Sequence, residues 1–449
     1  MPLALGLLAA ILYGSFAFGL ERSEFLKLIS LYIALFLLTY TLIRTYGWNF
    51  WLLAAIGVVL RLIFLPAFPN LSQDFYRFIW DGQLLTQGAN PYLFTPEMFI
   101  SDPMLSDVHI DNANELIAGM GELNANHFSN YPPVNQLFFA ISALLGGKSI
   151  LGSLIVMRVL LILADIGVLY FGKKLLEAMN IPVKQIFWYF LNPFIIIELT
   201  GNLHFEGLML FFVISSIYLL HKKKWFPAAI LMALSISVKL IPLIFLPLFY
   251  HYFVDKGLFS KGFWTLKKFF WTVIGTVVLT FLPFYSNEFA SNFAKTISLW
   301  FQDFEFNASV FYIIRWIGFQ INGWDPIQTA GKILPLIVIC FVLILAFFRK
   351  NSSTRNLITA MLFAVSFYFL LSTTVHPWYA ATPLLLCLFT KYRFPILWSG
   401  MVFLSYSAYG AEGYSENLWL VALEYAVVIG YAVWEIRIRK GLPTKPSLI

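Results

Sequence analysis

Charge is scarce in this sequence: Asp, Glu, Lys and Arg together make up 12% of its 449 residues, about half the share of an ordinary soluble protein. A water-soluble fold of this length needs more polar cover, so that class is excluded and lipid is the solvent that remains. Cysteine is scarcer still. Cys340 and Cys387 both lie inside apolar segments, which rules out a disulfide framework and a cysteine metal site. There is no glycine-rich phosphate loop, no Walker motif, no nucleophile elbow and no His or Cys set at metal-ligand spacing, so nothing points to ATP hydrolysis, proteolysis or redox chemistry. Tandem repeats, low-complexity tracts and a separate soluble domain are missing as well. The formal charge of +7 is spread over short loops between apolar runs, which argues against a nucleic-acid partner.

What is present is apolar. Hydrophobic residues account for 60% and aromatic residues for 18%, with Trp and Tyr gathered near the ends of the apolar runs, as at membrane–water interfaces. Runs such as Leu28–Ile43, Leu52–Phe68, Phe269–Phe284, Ile333–Phe348 and Ile358–Leu371 approach the length of a spanning helix. The pattern predicts a single all-α polytopic membrane domain over 1–449, with about 11–13 transmembrane helices. Met1–Leu20 has no basic n-region and no clear cleavage site, and is read as a retained helix.

The one long polar stretch, 69–132, is acidic. Its charged residues are Asp74, Arg77, Asp81, Glu97, Asp102, Asp107, Asp111, Glu115 and Glu122. Other loops are basic: His221–Lys224, Lys256–Lys268, Arg349–Arg355, Lys391–Arg393 and Arg437–Lys445. Lys and Arg favour cytoplasmic loops. With a cytoplasmic N-terminus, three crossings place 69–132 outside, and every basic cluster then falls inside, together with the C-terminus. Asn202–Gly207, Tyr285–Asn307, His376–Pro377 and Gly410–Asn417 fall outside. Val134–Gly147 is short enough to dip into the membrane without crossing. Phe226–Phe253, with Lys239, Pro242 and Pro247, reads as two half-length helices meeting near Lys239, an arrangement that membranes tolerate where it lines a cavity.

Several residues can carry chemistry. If helical from Ser72, the acidic stretch sets Asp74, Arg77 and Asp81 on one face: either an ion-pair ladder on a surface helix or part of a site. Gly88-Ala89-Asn90-Pro91-Tyr92 and Tyr131-Pro132-Pro133 are rigid turns. His204 and Glu206 sit at a turn between spans, where two ligands alone make a weak metal site. Lys239 is an ionisable residue at membrane depth, by default a functional hypothesis, against snorkelling to an interface. Arg158 and Asp165, seven apart on one apolar span, read as a structural ion pair between packed helices. His376-Pro377-Trp378-Tyr379 starts a helix at the outer side, an aromatic anchor or a ligand contact. An outward site with carboxylates, one or two buried cations and aromatics suits transfer of a group from a lipid phosphate.

Asp74 through Gly82 followed by Gly88 through Tyr92 resembles the first outer loop of polytopic GT-C glycosyltransferases, particularly bacterial mannosyltransferase-like members and, more distantly, the catalytic subunit of the first GPI mannosyltransferase. Tyr131-Pro-Pro, Asn192-Pro, His204-x-Glu206, Val238-Lys-Leu-Ile-Pro242 and His376-Pro-Trp-Tyr379 resemble further landmarks in the same order. The resemblance implies a polyprenyl-phosphate sugar donor, often mannose, a glycan or glycolipid acceptor, inversion at the anomeric carbon, and an active site on the periplasmic face of a bacterial inner membrane. It makes Asp74 the base, with Asp81 second, although Gln73 stands where many relatives have a second acidic residue. Arg77, Asn90, Tyr92, Tyr131, His204, Glu206, Lys239, His376, Trp378 and Tyr379 are then substrate-binding candidates, with Lys239, Arg77 or His376 on the donor phosphate. No cofactor is implied; the acidic loop admits a divalent cation, but no ligand set demands one. The rival readings are a transporter or flippase of a lipid-linked sugar, for which a paired broken helix and inverted repeat are missing, and a purely structural subunit.

Overall fold

The computed structural model describes residues 2–101, 108–254, 260–411 and 413–439. Asp102 and Asp107 of the acidic stretch, and parts of the basic clusters 256–268 and 437–445, lie outside the described residues.

The chain is 77% helical. Its first part comprises α1 (Pro2–Gly19), α2 (Phe25–Tyr46), α3 (Phe50–Leu62), α4 (Asp74–Thr86), α5 (Pro96–Ser101), α6 (Ala113–Ala125), α7 (Pro133–Gly146) and α8 (Ile150–Ala178). Longer helices follow at Glu206–His221, Trp225–Val238, Lys261–Phe281, Asn287–Gln302, Ile327–Phe347, Thr354–Leu371 and Leu418–Arg439. The only described strands are β1 (Tyr409–Gly410) and β2 (Gly413–Tyr414), paired as a hairpin.

Local chemistry sets many of the boundaries. Asn49, Ser149, Ser260, Ser286 and Ser353 each cap a helix by accepting from a backbone N–H in its first turn. Proline opens α7 and the 3₁₀ stretch Ile241–Phe249, where its missing N–H costs nothing.

The all-α polytopic membrane fold expected from the sequence is the one observed. Among the described residues seven helices are long and apolar enough to cross a membrane, or eight counting one bent pair, and five more apolar helices are shorter. Prolines and polar breaks account for the shorter helices. Pro242 and Pro247 prevent the helix Trp225–Val238 from continuing past Lys239, which gives the two half-length pieces the sequence indicates. The run at 134–147 forms the 14-residue α7.

The loops sort to two ends. At one end, Asn70 donates to the carbonyls of Phe16 and Leu20, Leu71 N–H donates to Asn202, Asn90 to the Phe284 carbonyl, and Asn292 to the Tyr92 carbonyl. Phe306 and Thr373–Val375 exchange backbone hydrogen bonds, and Asn307 N–H donates to Glu416. At the other end His221 meets Thr354, His251 meets the Phe347 carbonyl and Arg355 meets the Met179 carbonyl. The segments that sequence reasoning put on one side of the membrane therefore share one end of the bundle.

Two buried knots tie the helices together. Arg61 pairs with Asp165 at 2.9 Å, and the Tyr189 hydroxyl donates to the same carboxylate at 3.1 Å. Arg158 instead donates to the carbonyls of Leu65, Thr200 and Gly201. The expected Arg158–Asp165 pair is thus absent. Seven residues of α-helix separate the two by about 10 Å, so each finds a partner on a neighbouring element.

Candidate active site

The site is built where helices break. The pair Pro193–Gly201 and Glu206–His221 bends by 115°, and its first arm ends in a π-helical turn, Ile196–Gly201. Such turns are frequent at functional sites. Leu203 takes a left-handed conformation with φ 64°, and the bend delivers His204 and Glu206 side by side, both buried.

Glu206 lies 3.3 Å from Lys239 Nζ. Neither Glu206 oxygen receives a hydrogen bond from a described residue, so Lys239 is its main compensation. Lys239 adopts an extended conformation just past the helix Trp225–Val238, and its ammonium also faces the Tyr131 ring at 5.4 Å. Glu206 and Lys239 join Asn130, Tyr131 and Tyr379 at the polar end of a cavity of about 540 Å³. The rest of that cavity is a mainly apolar furrow, with Ser372, Thr373 and Thr374 also on its lining. One wall is Leu240–Pro247; the other is the helix face bearing Pro335, Val338 and Val342.

Beside this cavity three rings stack. Trp378 lies between His204 (centroids 3.5 Å apart) and His376 (4.5 Å), with both imidazoles nearly parallel to the indole. His204 Nε2 stands 3.6 Å from Glu198 Oε2, and the Tyr406 hydroxyl donates to Glu198 Oε1 at 2.7 Å. Burial, and then the cations Lys239 and Arg22, push the His376 imidazole down to about 3, so it is neutral in the physiological range and supplies no positive charge to a phosphate.

Asp74 is the first residue of α4, half-buried, with its backbone N–H directed at Ser72 Oγ. Burial raises its pKa above the usual carboxylate range; Lys239 and Arg22 pull it back down, and Glu206 opposes them. It does not line the furrow but faces the same charges as the residues that do.

The other candidates are placed differently. Arg77 and Asp81 form an ion pair at 2.7 Å with side chains 1% and 0% exposed. Arg77 also donates to the Asn124 and His127 carbonyls, and Asp81 accepts from Ser129 and Gln136. The expected surface ladder is therefore a buried clasp inside the 69–132 segment, because α4 packs against α6 and α7 instead of lying on the surface. Asn90 and Tyr92 fasten that segment down: the Tyr92 hydroxyl donates to the Tyr131 carbonyl at 2.6 Å, and its ring packs against Phe284, Phe289 and Phe293. Of the three cations considered for a donor phosphate, Lys239 alone lines the cavity.

Sequence reasoning missed Arg22, Glu198 and Tyr409. Glu198 had a usable signal, a carboxylate inside an apolar run. Arg22, in the short α1–α2 connection, reaches Asp74, His204 and His376 electrostatically, which only tertiary structure reveals. Among the described residues no group of three or more His, Cys, Asp or Glu side chains is placed to hold a metal ion.

The fold is that of an all-helical membrane protein, with a charged centre at the head of a largely apolar cavity. Residues 24–255, just over half of the chain, match the alpha-(1->6)-mannopyranosyltransferase N-terminal domain of the MptA_B family. The chain belongs to that family, and is a bacterial membrane mannosyltransferase of the GT-C type. No curated protein gives a significant match. The matched stretch contains Asp74, Glu206 and Lys239, whereas Arg22, His376, Trp378, Tyr379 and Tyr409 lie outside it.

Proposed function

We propose that this enzyme moves a mannosyl residue from a polyprenyl-phosphate donor to a hydroxyl of a glycan or glycolipid acceptor, forming an α-(1→6) linkage by one inverting displacement. The observation that carries this reading is the cavity, whose polar end holds Lys239 and Glu206 and whose remainder is mainly apolar. The polyprenyl chain lies in the furrow between Leu240–Pro247 and the helix Ile327–Phe347, and its phosphate meets Lys239. Asp74 takes the proton from the acceptor hydroxyl. The hydroxyl oxygen bonds to the anomeric carbon, the bond from that carbon to the phosphate oxygen breaks, and polyprenyl phosphate leaves with the electron pair. Lys239 stabilises the growing phosphate charge. Inversion to an α product requires a β-linked donor. Tyr131 and Tyr379 offer ring faces to the sugar, and His204, Trp378 and His376 form a rigid wall behind it.

The active site faces the periplasm in this reading, with both termini in the cytoplasm of a bacterium's inner membrane. Support comes from the sorting of loops: the acidic segment and the charged centre share one end, and the described basic loops gather at the other, as the positive-inside tendency requires. The 69–132 segment is then an outer cap clasped by Arg77 and Asp81.

The test is transfer from radiolabelled polyprenyl-phosphate mannose by proteoliposomes carrying the purified protein. Appearance of labelled glycan supports the reading. Movement of the donor across the bilayer with no new glycosidic bond would sink it and favour the flippase.

A further inference from the structure

We propose that the β1–β2 hairpin, with Arg22, is the acceptor-saccharide platform: Tyr414 supplies a ring face for a sugar, and the Arg22 guanidinium, seated on the Tyr409 ring, donates to its hydroxyls. This rests on the transferase reading above.

Tyr409 and Tyr414 are directly opposed in the hairpin register, with ring centroids 5.6 Å apart. Phe306 packs against both, at 6.0 and 6.4 Å. Behind Phe306 stands His376 at 5.3 Å, which ties the platform to the Trp378 stack. Tyr414 is 54% exposed, an aromatic face left open beside the polar centre. Gly413 holds φ at 114°, a conformation that favours glycine.

Arg22 adds the polar half. Its guanidinium carbon sits 3.2 Å from the Tyr409 ring centroid. Its Nε is buried without an acceptor, and it forms no ion pair with a described residue. The neighbouring Glu24 is engaged by Lys27 at 2.9 Å. A buried N–H donor with no acceptor is costly and is satisfied when a ligand hydroxyl arrives.

Placement decides which substrate this is. In a single displacement the acceptor attacks from the side opposite the leaving phosphate, and the base stands with the acceptor. Asp74 interacts electrostatically with Lys239 and Tyr131 on the furrow and with Arg22 and Tyr409 on the α1–α2 connection and the hairpin. The furrow takes the lipid donor, which leaves the hairpin side for the acceptor.

The experiment uses full-length protein in detergent with octyl α-mannoside as acceptor probe. Binding is read by saturation-transfer NMR, and transfer by separate KM values for acceptor and donor. Tyr414→Ala, at an exposed position that does not threaten folding, and Tyr409→Ala raise the acceptor KM by about tenfold and weaken the NMR signal, while Tyr409→Phe, which keeps the ring, stays near wild type. Arg22→Gln raises the acceptor KM similarly. Wild type that binds the mannoside through this platform but transfers nothing from polyprenyl-phosphate mannose upholds the platform and sinks the donor reading. Alanine variants that bind and use the mannoside like wild type overturn the platform.

Discussion

Replacing Arg77 with Met separates two roles for the most charged stretch of the 69–132 segment. Arg77 and Asp81 are both essentially inaccessible, at 1% and 0% exposure, and Arg77 also holds the carbonyls of Asn124 and His127. The substitution leaves Asp81 charged and buried, with only Ser129 and Gln136 as donors. Breaking a buried pair from one side costs about 3–5 kcal/mol. The orphaned carbonyls add to that cost, because the chain between α6 and α7 loses its anchor. The assay is thermal unfolding of the detergent-purified protein, followed by intrinsic tryptophan fluorescence, and a fall of roughly 5–10 °C is expected. The double variant Arg77→Met/Asp81→Leu recovers part of the loss, since an apolar pair of similar volume removes the uncompensated charge. An Arg77→Met protein that melts like wild type yet binds donor poorly would refute this reasoning and return Arg77 to the substrate.

Three further outcomes follow. Lys239→Gln weakens inhibition by free polyprenyl phosphate at least tenfold (about 1.5–3 kcal/mol for a charged hydrogen bond), whereas an unchanged inhibition constant would remove Lys239 from the phosphate. The acid limb of the kcat/KM profile reports Asp74 and lies above the ordinary carboxylate range, because burial is the largest influence on it; since Lys239 and Arg22 lower that pKa, Lys239→Gln moves the limb to higher pH, and a limb that stays put would mean another group titrates. Val338→Trp fills the furrow and raises KM for a long-chain donor more than for a short-chain one, and equal effects on both would place the lipid elsewhere.

Much of this architecture was legible in the sequence because membrane insertion depends on strong, local signals: apolar run length and the basic or acidic character of loops. The break at Lys239 was readable from Pro242 and Pro247. What was not readable depends on which elements meet. Arg158 and Asp165 read as a structural ion pair between packed helices, but Arg61 claims the carboxylate from α3. Asp74, Arg77 and Asp81 look equivalent on a helical wheel, yet packing of α4 against α7 buries two of them and leaves the first near the charges of Lys239 and Arg22. Arg22 and Tyr409 are nearly four hundred positions apart, and no spacing rule joins them.

The most direct test of the catalytic proposal is Asp74→Asn, which keeps the shape of the side chain and removes its ability to accept a proton. The measurement is single-turnover transfer of labelled mannose from polyprenyl phosphate to octyl α-mannoside, with donor affinity recorded on the same sample. The proposal predicts a transfer rate lower by a factor of about 10²–10⁴ with donor affinity close to wild type. Transfer at the wild-type rate by a correctly inserted Asp74→Asn protein would contradict it.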